Sequence, residues 1–417
     1  MKKEIAVIIL AAGKGTRMKF DLPKVLHPVC ERPMLLYVLD LVKELKVKET
    51  VLVLGHKHEE VGKHLAPGIK VAVQKKLLGT ADAIKAGLSR LKGFRGTILV
   101  LYGDIPLLKK ETVAKLLDHH IKNEIDATIL TAQLDKPFGY GRIVRDKYSS
   151  IRGIIEEKDA DDVDKEIKEI NTGIICFNKD KLSACLNLIR PNNRKKEYYL
   201  TDTIGIFYKK GYLIESERVA DFSETLGINS RVDLAKANSI MQKRINEKFM
   251  NDGVSIMDPD STFIGYGVKI GQNTTIYPFT FIEKGVKIGK RCSIGPFVHL
   301  REGTELKDDV LIGNFLEITR STIGSKTIAK HFSYIGDSRL GQSVNIGAGT
   351  VTANFDGKNK FATVIKDGAF IGSHTVLVAP VKVGKRAVTG AGSIVLKNND
   401  VADGEVVCGV PARSIKK

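Results

Sequence analysis

The sequence predicts an α/β domain built on a mostly parallel sheet, followed by a parallel β-helix, and three observations predict it. Over residues 1–230 short apolar runs alternate with amphipathic segments, as strands and helices do when helices cover both faces of a parallel sheet. From Phe263 the period changes to six: Ile264, Ile270, Ile276, Ile282, Ile288, Ile294, Leu300, Leu306, Ile312 and Ile318 are ten aliphatic residues in one unbroken register. Period six fits neither an α-helix nor a hairpin array. It is the hexapeptide repeat of a parallel β-helix, each repeat forming one face of a triangular coil with its aliphatic residue inside. The third observation is the seam, a polar, helix-prone stretch between the two patterns. The expected division is a domain over 1–230, a linker helix over 231–251 and the coil over 252–417.

The run Ile5–Leu10 reads as the first buried strand. Met1-Lys-Lys ahead of it gives the start the outline of a secretory leader, but so short an apolar run, ending in Gly-Lys-Gly-Thr-Arg, suits a core strand. Further strands are expected at 50–54, 71–73, 96–102, 127–132 and 173–177, and helices at 34–45, 81–91 and 110–123. The loop after the first strand is the most informative: Leu10-Ala-Ala-Gly-Lys-Gly-Thr-Arg-Met18, followed by Leu22-Pro-Lys24. A Gly/Ala loop at the C-terminal end of a strand lets backbone N–H groups close on phosphate oxygens. In open α/β sheets that edge is where nucleotides bind. Lys14, Arg17 and Lys24 add three cations, a set that suits a polyphosphate. The loop is neither the dinucleotide pattern G-x-G-x-x-G nor the P-loop. Asp104 follows the strand expected over 96–102, where a carboxylate reaches a metal that bridges phosphate oxygens.

In the coil, the register breaks after Ile318 over an irregular stretch and resumes at Leu340 and Ile346; a third series runs Ile365, Ile371, Leu377, Val383, Thr389 and Val395. Asn354–Lys360 is expected to be a loop extruded from a corner, and loops on a rigid scaffold commonly carry function. His331 lies in the irregular stretch, within Lys330-His-Phe-Ser-Tyr334. A histidine suits a general base near neutral pH.

Composition narrows the partners. The net charge is +18, yet the 66 Lys and Arg are spread along the chain and Arg194-Lys-Lys196 is the longest basic run. That argues against nucleic acid; attraction of anionic small molecules is one reading, and a generally lysine-rich surface accounts for most of the excess. Five scattered cysteines show no CxxC or metal spacing, which suits a reducing cytosol. No run approaches the ~20 apolar residues that span a bilayer.

The phosphate loop with its Pro-Lys resembles the L-x-x-G-x-G-T-R-[ML] signature of sugar-1-phosphate nucleotidyltransferases. With the hexapeptide coil added, nearly the whole chain resembles the bifunctional bacterial family of N-acetylglucosamine-1-phosphate uridyltransferase/glucosamine-1-phosphate acetyltransferases. The likeness runs through Gln74, Gly79-Thr80, Tyr102-Gly-Asp104, Gly139-Tyr-Gly-Arg142, Glu156, Ile170-Asn-Thr-Gly173, Glu197-Tyr-Tyr199 and Asn229. In the coil it runs through Arg301, Asn314-Phe315, His331, Tyr334, Asn345–Thr350, Asn354, Asp356-Gly357, Asn359-Lys360, Ser373 and Ala391.

The resemblance implies a Rossmann-like first domain and a left-handed coil, an exception to the right-handed crossover rule. It implies an enzyme of UDP-N-acetylglucosamine synthesis, which acetylates glucosamine 1-phosphate with acetyl-CoA. The same enzyme then transfers UMP from UTP to the product, releasing pyrophosphate. Leu10, Ala11, Ala12, Gly13, Lys24, Gln74, Gly79, Thr80, Tyr102, Gly103, Asp104, Gly141, Glu156, Asn171 and Asn229 would bind nucleotide and sugar. Arg17 and Lys24 would be catalytic, and Asp104 with Asn229 would hold Mg²⁺. In the coil, His331 would be the base, with Arg301, Arg320, Tyr334 and Asn345 on the acceptor sugar phosphate. Ala348, Asn354, Phe355, Ser373 and Ala391 would line the acetyl-CoA groove. A cytoplasmic homotrimer is implied, with small-molecule substrates and neither nucleic acid nor membrane as partner.

The chain departs from the family at named places. Thr319 stands where relatives carry a phosphate-binding lysine, with Arg320 the nearest cation; Gly409 replaces a C-terminal arginine, with Arg413 close by; Phe355 replaces a tyrosine. Lys75-Lys-Leu-Leu78 lacks a second polar base contact, which leaves UTP and dTTP both open. The competing reading is a single-activity nucleotidyltransferase whose β-helix only assembles a trimer. His331, Asn345 and the Asn354–Lys360 loop argue against it, since a pure scaffold needs none of them.

Overall fold

The computed structural model describes residues 4–415; Met1–Lys3, whose basic start was noted above, lie outside the described residues. The chain divides into two compact units. One holds the residues through Val29 with Pro33–Ala237; the other holds Cys30–Arg32 and the residues from Asn238 onward. The helix Arg231–Asn251 spans that division.

The first unit is built on a nine-stranded sheet. Its strands are β1 (Ile5–Ala11), β2 (Glu49–Leu54), β3 (Lys70–Val73), β4 (Thr97–Tyr102), β5 (Ala127–Gln133), β6 (Gly141–Arg145), β7 (Ile151–Ile155), β8 (Glu169–Asn178) and β9 (Ile214–Arg218). The order is β9-β5-β8-β4-β1-β2-β3, with the antiparallel pair β6-β7 attached to β8. β1 pairs in parallel with β2 and β4, and Ala6 to Ile9 are wholly buried. Such a strand, covered on both faces, reads as a continuous apolar run. Within that order β8 runs against its neighbours, antiparallel to β4 and β5, and β7 of the attached pair runs the same way as β8. Helices Met34–Glu44, Thr80–Leu88 and Lys110–Lys122 each bury one apolar stripe. Among the strands of this sheet, the β6-β7 pair and β9 escape the sequence reading. β9 is Ile-Glu-Ser-Glu-Arg on the sheet's edge and largely half-buried, so it offers no apolar run.

The second unit is a left-handed coil of three sheets with ten, eight and seven strands, most of them two residues long and parallel except for the last pair, Val406–Gly409 with Ala412–Ser414. Lys269 pairs with Lys287 and Thr275 with Ser293, eighteen residues on, so three hexapeptides make one turn. Of the ten register residues nine are buried; Ile270 packs half-buried against the same core. At about 1.5–3 kcal/mol for each aliphatic side chain, this column is the coil's main source of stability.

The irregular stretch expected after Ile318 is in fact regular coil. Ile323, Ala329 and Ile335 fill the interior, and pairing continues as Leu306–Ile323, Ile312–Ala329 and Ile318–Ile335. Two five-residue steps, Ile318 to Ile323 and Ile335 to Leu340, hide it from a six-residue search. Each short step turns on a residue with positive φ, Arg320 at 46° and Asp337 at 49°. Among the described residues no helix is long and apolar enough to cross a membrane.

Candidate active sites

In the first unit a cleft of ≈ 1110 Å³ opens where β1 and β4 end. Leu10, Ala11, Ala12 and Gly13 enter it from β1, and the loop carries on through Lys14 and Gly15 to Arg17. Gly15 has φ 64°, and a Cβ there would meet Lys24 Cβ at 2.7 Å. Only glycine lets the loop cross the lysine so closely. Asp104 follows β4, and Ile228 N–H donates to its carbonyl at 3.0 Å. That bond brings Asn229 across from far down the chain. Asp233 then fixes the turn by accepting from the N–H groups of Asn229 and Ser230 at 3.0 and 2.8 Å.

Four predicted residues meet here. Lys24 Nζ donates to the Asp104 carboxylate and, at 2.8 Å, to Asn229 Oδ1. Arg17 Nη2 donates to the same Oδ1 at 2.9 Å. Two oxygen donors thus converge on one cationic atom, a donor set that suits a hard divalent ion completed by substrate phosphates. Among the described residues no group of three or more His, Cys, Asp and Glu forms a metal cage. An Mg²⁺ that keeps phosphate and water ligands needs none.

The remaining predicted residues sort by depth. Gln74 Nε2 donates to Gly79 O at 3.0 Å and to Asp82 Oδ2 at 2.9 Å. A carboxylate only accepts, so the amide's orientation is fixed and its carbonyl oxygen is left to accept from a ligand. Gly79 has φ 119°, and a Cβ there would strike Tyr198 O at 2.4 Å. Thr80 Oγ1 accepts from Leu200 N–H at 2.9 Å, which draws the segment carrying Tyr199 and Thr201 to the cleft. Tyr102, Glu156 and Asn171 also line it. Asn171 sits where β8 bulges against β5, and its Oδ1 accepts from Gly173 N–H at 2.9 Å. Burial pushes the Glu156 carboxyl up, opposed by the hydrogen bond from Thr201 Oγ1 at 3.0 Å and by the charge of Lys195. Three predicted residues stand off the wall: Gly103 packs beneath Ala11 and Leu35, Gly141 lies behind Ile154 and Glu156, and Asn229 reaches the cleft only through its bonds to Arg17 and Lys24. Sequence reasoning did not assign Lys195, Thr201 and Phe138, which line the cleft. Lys195 belongs to the longest basic run, which was read only as charge.

The coil gathers its residues differently. A groove of ≈ 930 Å³ is lined by Phe279, Phe281, Phe297, Phe315, Phe332 and Tyr334, among others. Phe279, Phe297 and Phe315 stack at 4.9 and 5.0 Å, each at positive φ and exposed. Their eighteen-residue spacing is legible in the sequence. Arg301 Nη1 donates to Glu317 Oε1 at 2.9 Å. Arg320 is held in a fork by Asp337 at 2.6 and 2.8 Å and reaches Thr319 Oγ1 at 3.0 Å. Asp337 also accepts from the buried Asn354. His331 is exposed in an ordinary corner before the strand Ser333–Gly336, not in a break of the repeat. Tyr334 and Asn345 lie on different sheets, either side of the corner that carries His331 and Ala348. The turns of Ala348, Ser373 and Ala391 stack on one another through His374 N–H to Ala348 O, 2.6 Å, and Gly392 N–H to Ser373 O, 2.8 Å. Phe355 is exposed on the Asn354–Lys360 loop, which Asp356 pins by accepting from Lys358 and Asn359 N–H groups.

The MobA-like NTP transferase domain family matches residues 7–169, bacterial transferase hexapeptides (six repeats) match 267–302, and the hexapeptide repeat of succinyl-transferase matches 363–397. Fold and sites therefore define a nucleotidyltransferase joined to a hexapeptide acyltransferase. The bifunctional protein GlmU of Clostridioides difficile is 41% identical over 98% of this chain and 96% of its own length. Those of Carboxydothermus hydrogenoformans and Thermosipho africanus are 44% and 45% identical over 93% and 94% of the chain, and 94% and 92% of their own. The chain belongs to the family of bifunctional GlmU proteins. It is an enzyme of UDP-N-acetylglucosamine synthesis, uridylyltransferase and acetyltransferase in one chain.

Proposed function

We propose a division of labour among the named residues, carried by the convergence of Arg17, Lys24, Asp104 and Asn229 in one cleft. In the first unit an oxygen of the sugar phosphate attacks the α-phosphorus of UTP; the new P–O bond forms as the bond to pyrophosphate breaks. Arg17 and Lys14 hold the triphosphate, and Lys24 holds the attacking phosphate, so two anions are brought in line. Asp104 and Asn229 would hold Mg²⁺, which would supply positive charge against the leaving pyrophosphate. The fixed Gln74 amide presents its oxygen to an imide N–H of the base, a contact uracil and thymine share. Glu156 and Asn171 read the sugar, with Thr201 orienting Glu156. No protein nucleophile takes part.

In the second unit the amine of glucosamine 1-phosphate attacks the thioester carbon of acetyl-CoA. The amide C–N bond forms, the C–S bond breaks, His331 takes the amine's proton and the coenzyme leaves as thiol. Arg301 holds the acceptor's phosphate. Arg320, forked onto Asp337, organises Asp337 and Asn354 and leaves the phosphate largely to Arg301. Tyr334 and Asn345 contact the sugar, while the stacked turns of Ala348, Ser373 and Ala391, with Asn354 and Phe355, run beside the coenzyme. We propose that the working form is a cytoplasmic homotrimer, in which one copy's coil completes its neighbour's site.

The test is a pair of separable assays. Asp104→Asn abolishes Mg²⁺-dependent pyrophosphate release and leaves coenzyme A release from glucosamine 1-phosphate intact; His331→Ala does the reverse. If wild type releases no coenzyme A with any amino-sugar phosphate, the second assignment falls. Pyrophosphate release that survives Asp104→Asn removes the first.

A further inference from the structure

Lys24 is assigned to a phosphate, yet both of its partners are oxygens assigned to a metal. Its Nζ donates to Asp104 and to Asn229 Oδ1 at 2.8 Å, and Arg17 closes on the same Oδ1 from the other side at 2.9 Å. The lysine and aspartate side chains are only 13% and 20% exposed, so this charge-assisted contact is weakly screened. An ammonium and a divalent ion ask for the same thing, convergent oxygen ligands, and these two oxygens cannot serve both.

We infer, on the reading of Asp104 and Asn229 given above, that Lys24 occupies the cation seat of the ligand-free enzyme and is released to the sugar phosphate only when the nucleotide's metal arrives. A free hydrated Mg²⁺ must displace a paired ammonium and also shed water, which it does reluctantly. A metal already carried by a triphosphate comes with anionic oxygens for Arg17, which exchanges Asn229 for them, while Lys24 leaves Asp104 for the sugar phosphate. The exchange masks the cation meant for the second substrate until the first is in place, and it makes the enzyme a poor binder of free metal.

The inference is tested with Mn²⁺ alone, its binding counted by loss of the free-ion electron paramagnetic resonance signal. Wild type, Lys24→Met, Asp104→Asn and the double variant are titrated without nucleotide, and Lys24→Gln replaces Lys24→Met if the latter fails to fold. Freeing the seat should tighten Mn²⁺ binding by at least about tenfold, the worth of one charge-assisted contact. The double variant should lose that gain, and affinity for Mn²⁺–UTP should improve far less. Equal Mn²⁺ affinity in wild type and the lysine variant, with Asp104→Asn weakening both, overturns the exchange and leaves the metal seat standing. Mn²⁺ binding indifferent to Asp104→Asn overturns the seat and the exchange together.

Discussion

The two units solve the same problem, placing a few polar side chains around an anionic substrate, by opposite routes. In the first, a sheet edge draws residues from across two hundred positions into one cleft; Lys24 and Asn229 touch although 205 residues separate them. In the second, each coil pairs with the coils immediately before and after it. Tyr334 and Asn345 stand on different faces of that coil. A folded sheet therefore builds a site within one chain, whereas a solenoid displays half-sites along its length. That contrast is the physical ground for the proposed trimer.

The contrast is most exposed at His331. His331→Ala should reduce acetyl transfer by about 10²–10⁴, and mixing it with Asn345→Ala through unfolding and reassembly should restore part of the lost rate. Recovery in the mixture means that the site is shared between copies; none means that one chain builds it alone and the contrast fails. Next in size, Arg17→Ala should slow pyrophosphate release by about 10²–10³. Mixing with any other first-unit variant should rescue nothing, because that cleft is complete within one chain.

Stability separates the units as well. Ile294→Ala removes a wholly buried residue of the coil's column and should cost about 2–5 kcal/mol, read by denaturant unfolding of the coil, with pyrophosphate release unchanged under native conditions. The smallest effect belongs to Asp202, whose carboxyl is raised to about 6 by burial, reinforced by the charges of Glu156 and Asp159. The folded state thus binds this proton more tightly than the unfolded state, whose value is near 3.8. Stability from this group falls as pH rises from about 4 to about 6 and stays lower above. Asp202→Asn should accordingly raise the melting temperature by about 2 °C at pH 7 and leave it unchanged below pH 4. A gain of equal size at both pH values would show that the carboxylate carries no such penalty.

What the sequence disclosed follows from how each feature is encoded. Strand β1, the phosphate loop and Asp104 are legible because the chemistry is local: an apolar run, glycines and cations within a few residues. The column from Ile264 to Ile318 is legible because period repeats. Thr201 has no local mark, and it reaches the cleft beside Leu200, which the Thr80–Leu200 hydrogen bond holds; Lys195 is marked only by its basic run, which does not say where the charge points. The apparent gap between Ile318 and Leu340 came from applying a strict six-residue count to corners that use five. Arg320 was rightly noticed as the nearest cation to Thr319, but only the structure shows its guanidinium already taken by Asp337.

Those two short corners have a consequence for how the coil tolerates change in length. Leu306, Ile323 and Leu340 still stack in register across them, so each missing residue is absorbed where it occurs and the phase of later rungs is untouched. A solenoid read strictly by counting would carry such a slip to its end. Here the backbone resets at every corner, because interior side chains, not residue number, decide which strand sits above which. Single-residue insertions at Arg320 or Asp337 belong to the same class of edit: a local bulge on the surface of an unaltered column.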